Sequence, residues 1–97
     1  TGVPVSIIMK MKQKEGDSNY ALDVAKQALR RKMDLAVLSQ AVEIARELGH
    51  LEELEDDIRY SIKQEQTFGT LEKNFSEHLQ RLGLYRLADE LKNGKMK

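Results

Sequence analysis

Residues 34–49 read Asp-Leu-Ala-Val-Leu-Ser-Gln-Ala-Val-Glu-Ile-Ala-Arg-Glu-Leu-Gly and carry two apolar stripes at helical spacing. Leu35, Leu38, Val42, Ala45 and Leu48 form one stripe, and Val37, Ala41 and Ile44 form a second beside it. A helix with one stripe lies on a core, whereas a helix with two is covered from more than one side. The segment therefore predicts a helix in the middle of its fold. Asp34 is placed to cap its start and Gly49 to close its end.

The other segments are arranged around it as narrower amphipathic helices. Ala21, Leu22, Ala25, Ala28 and Leu29 share a face between about Ser18 and Lys32. Leu51, Leu54, Ile58 and Ile62 share one between Leu51 and about Gln66. Thr70 can cap a helix to Leu82, with Leu71, Phe75, Leu79 and Leu82 inward and Phe68 stapling its start. A last short helix, Leu84 to Asn93, uses Leu84, Leu87, Ala88 and Leu91, and residues 94–97 read as a frayed end. With one proline, six glycines and no tryptophan, the composition agrees. The expected fold is all-α: four to five helices in antiparallel hairpins, either stacked or as a compact bundle. A helical domain at 17–97 follows an arm at 1–16. In that arm Val3, Val5, Ile7, Met9 and Met11 alternate with Pro4, Ser6, Ile8 and Lys10, the period of a strand. No second strand is available to pair with it. The alternatives are a short helix over Ser6–Lys14 using Ile7, Ile8 and Met11, an irregular arm, or a strand paired with another chain.

Charge is balanced overall but not along the chain. Residues 1–32 carry seven Lys/Arg against three Asp/Glu, residues 33–66 three against nine, and residues 67–97 six against four. A basic–acidic–basic layout suits a protein partner or self-association better than nucleic acid, which ranks behind them. No apolar run approaches the ~20 residues of a membrane span. The absence of cysteine suits a reducing compartment, so a soluble intracellular, cytoplasmic protein is expected.

The junctions Leu48-Gly49-His50-Leu51 and Leu82-Gly83-Leu84-Tyr85 lie 34 residues apart, and Gly16 lies 33 before Gly49. Ala41 then aligns with Phe75, Ala45 with Leu79, Leu51 with Tyr85 and Leu54 with Ala88. Periods of this length indicate stacked helical hairpins. Over about residues 17–94 the chain resembles the tetratricopeptide-like α-solenoids. Leu82-Gly83-Leu84-Tyr85-Arg86-Leu87-Ala88 is similar to the Gly-x-Tyr-x-x-Ala core of that repeat. The first-helix aromatic and the closing proline are missing, and Leu51 replaces the tyrosine of the middle copy. The resemblance implies a scaffold that binds protein segments along a helical groove. Phe75 to Leu91 is also similar to the last two helices of death-fold adaptor domains, and Ile44-Ala45-Arg46-Glu47-Leu48-Gly49 to the end of their first helix. That resemblance implies a signalling adaptor assembling through oppositely charged faces. The interval between its motifs is one helix short, and its core tryptophan is absent.

Chemistry finds little support in the residues. His50 and His78 are the only histidines and have no metal-ligand spacing. Ser39 and Ser61 lack a nucleophile elbow. The acidic run Glu52, Glu53, Glu55, Asp56 and Asp57 sits where a helix N-terminus favours anions. No enzyme, cofactor or metal is expected. Met9, Met11 and Met33 read either as core or as an adaptable contact patch. For contacts with a partner, the candidates are Tyr20, Tyr60 and Tyr85, the basic triplet Arg30, Arg31 and Lys32, and the acidic Glu52, Glu53 and Asp56. Tyr60 leads, because it lies off the Leu51–Ile62 stripe. Lys26 together with the basic triplet also supports a helical nucleic-acid-binding protein as a further alternative.

Overall fold

Asp34 and Gly49 bound the central helix as their chemistry requires. In the computed structural model, which describes residues 3–94, the Asp34 carboxylate accepts from the backbone N–H of Ala36 and Val37 at 2.9 and 3.3 Å. Gly49 takes the left-handed conformation, φ 74°. Its N–H donates to Arg46 O, and that of His50 donates to Ala45 O. This pair of bonds satisfies the last carbonyls of a helix and turns the chain sharply. The same pair recurs at Gly16, Gly69 and Gly83, so these four glycine turns share one mechanism.

Six helices result among the described residues: α1 Val5–Lys14, α2 Ser18–Arg31, α3 Leu35–Leu48, α4 Leu51–Phe68, α5 Phe75–Arg81 and α6 Tyr85–Lys92. The fold is all-α. Val37, Leu38, Ala41, Val42, Ile44 and Ala45 of α3 are all buried, so both predicted stripes are covered. Helix α3 packs against α1, α2 and α4. Each helix of the first four packs on the next, α1 also on α3, α2 also on α4, and α5 pairs with α6. The glycine junctions at 16, 49 and 83 each link the two helices of a hairpin, giving α1–α2, α3–α4 and α5–α6. Equivalent positions are buried alike: Ala21, Leu54 and Ala88, at intervals of 33 and 34, are all core.

Two expectations change. The N-terminal segment, read as an arm with an open choice of structure, is helix α1, and it raises the number of helices above the expected four to five. Met9 is fully buried, and Val5 packs against the core. Ile7 and Met11, expected inward, are instead about half exposed. The turn at Gly16, the burial of Met9 and a long hydrogen bond from Gln40 Nε2 to Ser6 O go with this rotation. It brings the Val5–Met9 face onto α2 and α3 and leaves Val3, Ile7 and Met11 outside. Second, α5 does not start at Thr70. Thr70 closes α4 instead: its N–H donates to Glu65 O, and its hydroxyl donates to the Glu65 carboxylate. With its hydroxyl turned back, Thr70 cannot cap the next helix. Residues 70–74 stay non-helical, and Asn74 makes no side-chain cap bond. Phe68 forms no staple and is 74% exposed. Residues 95–97 of the expected frayed end lie outside the described residues.

Helices α5 and α3 are tied across the molecule. Arg46 Nη2 donates to Leu82 O at 2.6 Å, and a Cβ placed on Gly83 would fall on that guanidinium, whereas one placed on Gly49 meets open space. Both glycines have positive φ, so alanine at either costs about 1–2 kcal/mol in backbone strain. Gly83→Ala is expected to cost about 1 kcal/mol more than Gly49→Ala, the worth of the displaced hydrogen bond. Urea denaturation of both variants, repeated in an Arg46→Ala background, checks this: the extra cost disappears once Arg46 is gone.

Candidate interaction surface

Helix α2 ends without glycine or proline, and its end is held by α4. The Ser61 hydroxyl, 1% exposed, donates to Leu29 O at 2.9 Å. The Glu65 carboxylate accepts from Met33 N–H at 3.2 Å. Ser61 and Glu65 are one helical turn apart, so a single face of α4 satisfies an orphan carbonyl and the first free N–H beyond it. Ion pairs extend the same seam. Lys26 Nζ lies 3.9 Å from Glu53 and 3.7 Å from Asp57, and Arg30 Nη2 donates to Asp57 at 2.8 Å. These pairs advance together along both helices, so α2 and α4 run parallel.

Beyond Ser61 the seam opens. The late start of α5 leaves a cavity of about 640 Å³ between the α2–α3 corner and residues 68–75. Leu29, Ser61 and Phe75, all buried, lie at its base. Met33, Leu35 and Leu71, half-buried, and the exposed Phe68 supply its apolar walls. The volume falls in the range of about 300–1,000 Å³ usual for binding clefts. A smaller cavity of about 360 Å³, bordered by Pro4, Val5, Ala28 and Val37, lies on the other side of the corner. Arg31, Lys32, Asp34 and Ala36 border both.

The charges on this surface are unequally engaged. Asp34 caps α3, Glu65 holds Met33 N–H and Thr70, and Glu72 faces the His78 imidazole at 3.5 Å. Arg30 is bound by Asp57, whose hydrogen bond and charge raise the guanidinium above its ordinary pKa. Arg31 and Lys32 are exposed and, among the described residues, have no side-chain partner.

Of the residues singled out in the sequence, Arg30, Arg31 and Lys32 therefore meet at one rim. Tyr60 joins them: Arg30 lies 5.1 Å above its ring, and Gln64 donates to its hydroxyl at 2.7 Å. The others do not converge there. Tyr20, half exposed, lies under Lys12 at 5.0 Å, and Tyr85 is exposed at the start of α6. Glu53 faces Lys26 and His50, while Glu52 is exposed at the start of α4. Asp56 accepts from Arg59 Nη1 at 2.9 Å. Arg59 also grips Glu90 with two hydrogen bonds, at 3.1 and 2.7 Å, tying α4 to α6 and raising its own pKa. The methionines form no common patch, because Met9 is core, Met11 is exposed on α1 and Met33 lines the larger cavity. Sequence reasoning missed Leu35, Phe68 and Leu71 as walls. The available signal was Phe68, a large apolar residue on a polar helix one step before a glycine.

No helix among the described residues is long and apolar enough to cross a membrane. Comparison with family models, with curated proteins and with solved structures returns no match.

Ser61 is here a structural group. Ser61→Ala leaves Leu29 O buried without its donor and is expected to lower stability by about 1–3 kcal/mol. Ser39→Ala, at a half-buried position on α3, serves as the control and is expected to change little. Urea midpoints of the two variants check this.

Proposed function

We propose that the protein is an interaction module: a stack of helical hairpins that binds a segment of a partner protein at the cleft between the α2–α3 corner and residues 68–75. The observation that carries the reading is the cleft itself. Apolar walls around a buried base, with Phe68 standing exposed at the edge, are the arrangement by which large side chains of a partner are anchored. The packing of the first four helices, each on the next and next but one within that set, supports the tetratricopeptide-like stack as the scaffold. The death-fold alternative drew on complementary charged faces. Lys26, Arg30, Glu53 and Asp57, prominent members of those faces, are instead joined within one molecule.

A random peptide library selected on the folded domain tests the reading. Selected peptides are expected to bind at micromolar affinity and to shift the amide resonances of residues 29–36 and 68–75. Selection that yields no binder, or binders that shift only α1 or α6, contradicts it.

A further inference from the structure

We propose that the cleft takes a peptide segment in which acidic residues lie between two groups of large apolar side chains. This rests on the interaction-module reading and names the chemistry of the partner.

The first support is charge. Three carboxylates border the larger cavity, and each already faces a group of the protein: Asp34 the α3 amides, Glu65 Met33 and Thr70, and Glu72 His78. The cations Arg31 and Lys32 border the same cavity and have no side-chain partner among the described residues. The charged groups on this border still without a partner are therefore the two cations, and an occupant that pairs with them carries carboxylates. The second support is position. Arg31 and Lys32 stand on the ridge between the two cavities and line both. A segment crossing that ridge meets Met33, Leu35, Phe68 and Leu71 on one side and Pro4, Val5 and Val37 on the other. Apolar side chains on both sides of an acidic pair match that surface in order.

The test uses fluorescence anisotropy with three synthetic peptides on the intact chain. One has an acidic pair between two apolar groups. The second has lysines in place of the acids. The third moves the acids to one end. The first is expected to bind best. Its affinity is expected to fall about tenfold when Arg31 and Lys32 are both changed to Gln, and to weaken with added salt. Both side chains are exposed, so the double variant is expected to keep the wild-type circular dichroism spectrum. Equal binding of the acidic and lysine peptides, untouched by the double variant, overturns the acidic assignment and leaves the module standing. Failure of all three peptides, where library-selected peptides still occupy the cleft, overturns it as well. Failure of library and designed peptides together removes the module reading too. A single-stranded RNA oligonucleotide is the remaining arm. If it binds through Arg31 and Lys32 while the acidic peptide does not, the surface belongs to nucleic acid and the proposal falls.

Discussion

Burial of α3 governs the arrangement of the other helices. Its two stripes need cover on two sides, and α1, α2 and α4 provide it. Only short connections can bring helices into those positions. The sharp glycine turn at Gly49 sends α4 back along α3, and the extended Lys32–Asp34 corner brings α2 in beside it. Helix α4 then lies parallel to α2 and can hold its end through Ser61 and Glu65. The cleft results from the same geometry. Where the third hairpin lacks the opening turns of its first helix, the space beside Ser61 and Phe75 is left unfilled.

Charge settles into this frame. Part of the basic block on α2 and part of the acidic block on α4 face each other. Lys26 and Arg30 pair with Glu53 and Asp57; Glu53 and Arg30 are exposed, so their pairs are individually weak, while Lys26 and Asp57 are largely covered. The tighter tie is Arg59 to Glu90, two-pronged and half-buried, which joins α6 to α4. Arg31 and Lys32 pair with no carboxylate of α4, because Glu65, which reaches as far as Met33 N–H, is engaged there and by Thr70.

The parts of the fold legible in the sequence were those fixed by local chemistry. Asp34 and Gly49 bound a helix through their own side chain and backbone, and the doubled stripe forced its burial. Helix α1 was ambiguous because Val3 to Met11 satisfies period two and helical spacing at once, and only contact with α2 and α3 decides between them. Thr70 misled because a threonine after a glycine can cap forward or close backward, and the choice depended on Glu65 being within reach. The basic triplet was visible, but the walls it borders were not. Leu35 and Leu71 looked like core residues, and what leaves them half-buried is the missing first turn of α5, which no local pattern announces.

Native-state amide hydrogen exchange tests the central claim that α3 is the enclosed spine and that residues 69–74 are the loose edge beside it. The slowest exchange is expected at residues 38–45, at rates set by global unfolding, with residues 69–74 exchanging by local opening. Exchange at residues 38–45 as fast as in α1 or α6, or strong protection across 69–74, would contradict the account.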